Sequence, residues 1–431
     1  MKTLEKQYHQ VINRKGFKAS AYYDTLMRLN LMRTEMTLDY LGDQSNFYEM
    51  DNDMDTDVFM DKYQYTFAAC FNCPMHTKHV HIIRGGPDQG KQGGGPEFAD
   101  AAGFGSNIGA QSWDTVLSCS NVCNDYGLDK LTSGKLLAAA MHLYQDGLVT
   151  EKTTGGIRME WGDYEAAITF LRQVALREGF GGIFSDGWDE ARQRLFGDAG
   201  AKYEQYCAHV KGEPAETISA YKRFATHALG AATATRGACH LRSRFTLEEL
   251  GVPSDFLAKL IGRPIHPDPS VTEGKCWPVM WSEYLCAVGD ALGMCRFLSK
   301  WMTPGFLGFE EWAEAIYTAT GLVELTASQV MEVGERIWNV KRLFLVREGL
   351  SRNADWLPDQ VFDNPIKVGP FKGACQNKES FTRLLDEYYQ EHGWDEQGIP
   401  TWATVTRLEL DKVLKLNKQM KKKLAQSVAE E

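Results

Sequence analysis

No stretch of this 431-residue chain approaches the ~20 consecutive apolar residues that a membrane-spanning helix needs, so no membrane span is expected. Positive charge is also in short supply, with 47 Lys and Arg against 57 Asp and Glu and a net charge of −10. Such a surface repels phosphate backbones, and no basic stripe offsets it before the C-terminal segment, so nucleic acid is not an expected partner. The opening Met1-Lys-Thr-Leu-Glu-Lys-Gln-Tyr8 lacks the apolar stretch of a secretion signal, which points to a cytoplasmic protein. Strand signals are few: Val80 to Ile83 is the clearest short β-branched run, and nothing alternates strand with helix. That disfavours a doubly wound sheet. The balance of 43% apolar and 24% charged residues is otherwise that of an ordinary globular protein.

Helix signals dominate instead. Asp163 is a good N-cap, followed by Ala166, Ala167, Phe170, Leu171 and Val174, with Gly179 as the stop. A second helix is expected from Trp113 to Gly127, and a third opens at Ser133 and runs to Gly147. Thr326-Ala-Ser-Gln329 has the form of a capping box, and Val330, Val333, Ile337, Val340 and Phe344 follow at helical spacing. Residues 84–96 read as a glycine-rich loop, and residues 262–273, rich in breakers, separate two helical blocks. Residues 412–425 read as a basic amphipathic helix with a solvated face. The fold class expected is all-α and multihelical.

One pattern occurs twice. Asn124-Asp-Tyr-Gly127-Leu128-Asp129 and Asp290-Ala-Leu-Gly293-Met294-Cys295 each follow a helical stretch. In both, the glycine suits a left-handed C-terminal cap, leaving a short polar side chain just before a tight turn.

Ten cysteines in a reducing compartment are buried hydrophobes or metal ligands rather than a disulfide framework. The segment Cys70-Phe-Asn-Cys73-Pro-Met-His76-Thr77 places two thiols on one tight turn, which fits zinc, an iron–sulfur cluster, a redox dithiol or a plain structural pair. His240, in Arg236-Gly-Ala-Cys-His-Leu241, and Glu97, closing Gly95-Pro-Glu97, are ordinary residues when taken singly.

Together these segments closely resemble the tungsten-containing aldehyde:ferredoxin oxidoreductase family. The likeness runs in order through Cys70-Phe-Asn-Cys73-Pro, Gly95-Pro-Glu97, Gly105-Ser-Asn107, Cys123 to Asp129, Val210-Lys-Gly212, Arg236 to Leu241, Asp290 to Phe297, Val346-Arg-Glu-Gly349, Leu384 to Tyr389 and Gly393 to Pro400. It implies the two C-terminal helical domains of that fold, here placed at 1–209 and 210–431. It also implies a tungsten or molybdenum bis-pterin with a [4Fe-4S] cluster. The activity implied is oxidation of an aldehyde to a carboxylic acid, with electrons passed to ferredoxin or an iron–sulfur subunit. Asn124, Gly127, Leu128 and Asp129 would hold one pterin, and Asp290, Gly293, Met294 and Arg296 the other, since a carboxylate can accept two adjacent pterin N–H groups side by side. Cys70, Cys73 and Cys295 would ligate the cluster. Glu97 would take a proton from attacking water, and His240 would hold or protonate the carbonyl oxygen.

This chain also departs from the family. The third cysteine of the cluster motif is replaced by Thr77, so His76 or His79 is the expected fourth ligand. The likeness lacks the family's N-terminal β-rich pterin-binding domain, which a separate polypeptide is expected to supply, in an oligomer. Glu97 is followed by Phe98, and histidines crowd 76–81, which brings in a related branch, the tungsten subunit of class II benzoyl-CoA reductase. A degenerate, non-catalytic scaffold is the remaining alternative.

Overall fold

A computed structural model describes residues 39, 41, 42, 44, 54–71, 73, 76–321 and 324–414. It is predominantly helical, with strands confined to a three-stranded sheet and a two-stranded pair among the described residues. The chain divides into two compact units. One holds the described residues up to Lys222 together with Pro358–Cys375; the other holds Arg223–Leu357 and the described residues from Gln376 onward. The division expected at 209/210 falls inside the short strand His209–Val210, and the changeover in compactness comes at 222/223.

The first unit carries an antiparallel sheet in the order β1 (Gln64–Ala68), β2 (Lys78–Ile82), β3 (Gln92–Gly94). The stretch 84–96, expected as a loop, therefore contains a strand: Gly93 pairs with His81 and Gly94 with Val80. Helices α1 (Phe98–Phe104), α2 (Trp113–Tyr126), α3 (Lys130–Gln145) and α4 (Tyr164–Leu176) follow. Helix α1 packs on α2 and α3, and α2 also packs on α4. The buried faces are those the spacing predicts: Trp113, Val116 and Leu117 on α2, and Phe170 and Leu171 on α4, are all fully enclosed.

Two helix ends differ from expectation. Helix α3 begins at Lys130, because the Asp129 carboxylate caps it by accepting the Thr132 N–H at 2.8 Å. Helix α4 is closed by Arg177 in the left-handed region (φ 57°), two residues before the glycine expected to stop it.

In the second unit, α5 (Ala225–Thr233) and α6 (Cys276–Ala291) precede α7 (Phe309–Thr320), α8 (Ala327–Arg347) and α9 (Lys378–His392). Helix α6 is the hub: it packs against α5, α8 and α9 and is buried almost all round. Thr326 and Gln329 form the expected capping box on α8. The stripe that α8 buries is not the one expected, since Val333 and Phe344 are exposed while Val330, Gly334, Trp338, Arg342 and Val346 face inward. Closest approach decides it: a Cβ on Gly334 would lie 2.5 Å from the Tyr284 carbonyl oxygen of α6. The basic segment 412–425 lies, from 415 on, outside the described residues.

Candidate functional site

The paired motifs sit at matching places. Helix α2 ends at Tyr126 and Gly127 follows at φ 71°; helix α6 ends at Ala291 and Gly293 follows at φ 69°. Left-handed backbone is cheap only for glycine, so each helix stops there and turns its polar residue outward. Asn124 and Asp290 are both exposed. Asn124 donates through Nδ2 to the Gly94 carbonyl at 3.0 Å, which ties α2 to β3 and keeps the amide oxygen as an acceptor. Leu128 and Met294 are half-buried under their turns. Asp129 is exposed, and one of its oxygens is already spent on capping α3.

Asp290 lies in a cationic setting. Arg296 Nη2 donates to Oδ1 at 2.8 Å, and Arg242 pairs with Oδ2. Burial, followed by the neighbouring Arg296 and Arg236 charges, lowers the pKa of Arg242. Burial, with Arg242, Arg296 and Arg236 adding repulsion, lowers that of Lys341. Arg242 was not singled out in the sequence; its place two residues after His240 was the available signal. His240 is half-buried on a turn where the Cys239 sulfur accepts from Arg236 Nε at 3.0 Å and from the Leu241 N–H at 3.4 Å.

In the first unit, Glu97 sits at the start of α1, with its backbone N–H donating to Asp100 Oδ2 at 2.7 Å. Its carboxylate pairs with Lys78, another residue that sequence reasoning missed. Asp100 is fully buried and also pairs with Lys130 at 2.9 Å. Glu97 is thus mounted on a buried ion pair while its own side chain stays partly open to solvent.

Cys70 and Cys73 are joined by a turn in which the Cys73 N–H donates to the Cys70 carbonyl at 3.0 Å; Cys70 is exposed and Cys73 half-buried. Cys295, directly after the Gly293 turn, is exposed. By contrast, Cys119, Cys123, Cys207, Cys239, Cys276 and Cys286 are buried. Burial raises the Cys123 thiol to about 12, far from a ready thiolate. The thiols left accessible are those of Cys70, Cys73, Cys295 and Cys375. Among the described residues, no three His, Cys, Asp or Glu side chains converge as a metal-ion site.

The two histidines offered as a fourth ligand part company. His76 is exposed, with left-handed backbone at φ 54°. His79 is buried on β2, its ring edge-on to Phe59 at 5.5 Å and tilted against Phe67 at 5.4 Å. His81, also inward on β2, makes a 2.9 Å contact from Nδ1 to the Gly95 carbonyl, and burial lowers its pKa. The histidine-rich run is therefore part strand core, with Val80 half-exposed between the two rings.

The chain thus presents twin polar turns and four accessible thiols on a predominantly helical scaffold. Residues 2–410 match the family model described as aldehyde ferredoxin oxidoreductase, domains 2 and 3, and the chain belongs to that family. It is similar to the tungsten-containing aldehyde ferredoxin oxidoreductase of Pyrococcus abyssi, 27% identical over 383 residues that cover 87% of this chain and 58% of that protein. It is also similar to the aliphatic sulfonate oxidoreductase, WOR-like subunit, of Pyrococcus furiosus, 26% identical over 83% of this chain and 52% of that protein. The chain thus spans little more than half the length of these curated relatives. Among solved structures, the active-site complex BamBC of benzoyl coenzyme A reductase with 1,5-dienoyl-CoA shares the fold, with a TM-score of 0.69 at 19% identity over 89% of this chain and 60% of that one. No helix among the described residues is long and apolar enough to cross a membrane.

Proposed function

We propose that this chain is the helical part of a tungsten- or molybdenum-bis-pterin, iron–sulfur oxidoreductase that oxidises an aldehyde to a carboxylic acid and passes the electrons to ferredoxin or an iron–sulfur subunit. The observation that carries this reading is the matched pair of glycine turns, which present Asn124 and Asp290 outward, with Cys295 exposed directly after the second. A bound bis-pterin metal would supply the two-electron acceptor.

The chain's own residues then divide the remaining work. Asp290, held by Arg242 and Arg296, keeps lone pairs for the N–H edge of one pterin, and the Asn124 oxygen serves the other. Cys70, Cys73 and Cys295 would hold iron, with His76 as the histidine that shares their exposure. Glu97, paired with Lys78, accepts a proton from water, and His240 holds the carbonyl oxygen.

The test is anaerobic purification followed by assay of aliphatic and aromatic aldehydes with a low-potential dye, and of benzoyl-CoA in parallel. Aldehyde-dependent dye reduction by metal-bearing protein supports the reading. Turnover of benzoyl-CoA alone would move the chain to the ring-reducing branch. A metal-free, inactive protein would leave only the scaffold.

A further inference from the structure

Inside the second unit lies a set of titratable groups that the proposed chemistry does not use. We propose that Tyr284, His392, Glu283 and Tyr388 form a proton-conducting chain through the interior of this unit, from an open groove to the end of the helix that leads into the His240 loop. The Tyr284 hydroxyl lies 3.4 Å from His392 Nδ1, and His392 Nε2 lies 3.1 Å from Glu283 Oε2. The Tyr388 hydroxyl donates to Glu283 Oε1 at 2.8 Å and accepts from Trp338 Nε1 at 3.1 Å.

Both ends lead somewhere. Tyr284 lines a groove with Trp277, Glu332, Glu335 and Glu391; Glu332 and Glu391 are exposed there, while Glu335 pairs with Arg407. At the other end Tyr388 neighbours Thr233, the last residue of α5, whose hydroxyl donates to the Leu229 carbonyl at 2.9 Å and from which the chain runs on into Arg236–His240.

The surroundings exclude water. Glu283 and His392 are fully buried, and the imidazole stacks on Trp394 at 4.5 Å and meets Tyr388 edge-on at 4.4 Å. Burial drives the Glu283 carboxyl well above its ordinary range, with Asp355 pushing the same way and the Tyr388 hydroxyl, Lys341 and Arg342 opposing. Burial, then Arg342, drives the His392 pKa down. Around Tyr284, burial dominates, with Glu335, Glu283 and Cys276 adding to it and Arg407 opposing. Both directions favour the neutral forms, an acid beside an imidazole, over an ion pair.

Such a chain moves charge without storing it. The starting state has Glu283 protonated on Oε2, His392 protonated on Nδ1 and both tyrosines as phenols. A proton arriving at the Tyr388 oxygen sends that residue's own proton to Glu283 Oε1. The Oε2 proton passes to His392 Nε2, the Nδ1 proton to Tyr284, and the Tyr284 proton to water or a carboxylate in the groove. One proton enters, one leaves, and every residue ends neutral. This role rests on the proposed oxidation, which releases protons along with its two electrons.

The deciding experiment has two readouts. Infrared difference spectra of wild type against Glu283→Gln, at neutral pH, should show a protonated carboxylic-acid band that the variant lacks; this needs no cofactor and no activity. Absence of that band overturns the proposal, whatever the enzyme turns over. In holoenzyme, Glu283→Gln keeps hydrogen bonds but cannot relay, so turnover should fall at least ~10-fold and the solvent deuterium effect should grow, while the melting temperature holds. A band present with turnover and isotope effect unchanged also overturns it, since the cluster is then purely structural. Should the glutamine variant not fold, Tyr388→Phe, which removes one hydroxyl and keeps the ring, should shift that band without abolishing it and slow turnover in the same way.

Discussion

Arg296 Nη2 donates to Asp290 Oδ1 at 2.8 Å while Arg242 holds the other oxygen of the same carboxylate. The pairing crosses the Gly293 turn, so it fixes the orientation of Asp290 at the end of α6 and leaves the carboxylate facing outward. Because all three side chains are partly exposed, each ion pair contributes only about 0.2–1 kcal/mol.

Arg296→Ala should therefore lower stability by under about 1 kcal/mol, read from urea midpoints. It should nevertheless reduce the tungsten or molybdenum retained per chain, because the carboxylate loses its orientation. A large stability loss with full metal retention would reverse the assignment.

Asp100 calls for the opposite expectation. It is buried, pairs with Lys130 and accepts the Glu97 N–H. Asp100→Ala strands an ammonium in a partly buried site and should cost about 3 kcal/mol, whereas Lys78→Ala, at a half-exposed pair, should cost under about 1 kcal/mol. Denaturant melts of both variants check the contrast.

Glu97→Gln tests the role of the base. It keeps the side-chain shape at the start of α1, so fold and metal content should be those of wild type. Turnover should drop by ~10²–10⁴-fold.

The Glu283–His392 pair makes a stability prediction. Glu283 has a raised native pKa, so its contribution is full below 4.5, its ordinary value, and is lost as pH rises toward the native one. His392 has a lowered native pKa, so its contribution is full above 6.5 and is lost as pH falls. Between those values, unfolding merely transfers a proton from Glu283 to His392, and the pair adds no slope. Above 6.5 the native state binds the extra proton and stability declines with pH. Glu283→Gln should flatten that alkaline decline, measured by melting temperature from about pH 6 to about pH 9; an unchanged slope would refute the neutral-acid assignment.

How far the residues announced this structure depends on which signal they used. Gly127, Gly293 and the Thr326–Gln329 box were legible because left-handed caps and capping boxes are local chemistry. The burial phase of α8 was not, because Gly334 is chosen for backbone approach to Tyr284 and not for hydrophobicity. The strand Gln92–Gly94 read as loop since its glycines carry no pattern; pairing with β2 supplies what side chains do not. Lys78 and Arg242 were missed as partners because an ion pair distant in sequence leaves no spacing to read. Glu283 and His392 carried no signal in the sequence; it is the packing with Tyr388 and Trp394 that makes them interior.

The most direct measurement is tungsten, molybdenum and iron per chain, with the visible spectrum, in anaerobically purified wild type and in the Asp290→Ala, Cys295→Ala double variant. Wild type should carry the metal and several irons with broad sulfur-to-iron absorbance, and the double variant should lose both while its helical content stays the same. Equal metal, iron and absorbance in the two proteins would contradict the account.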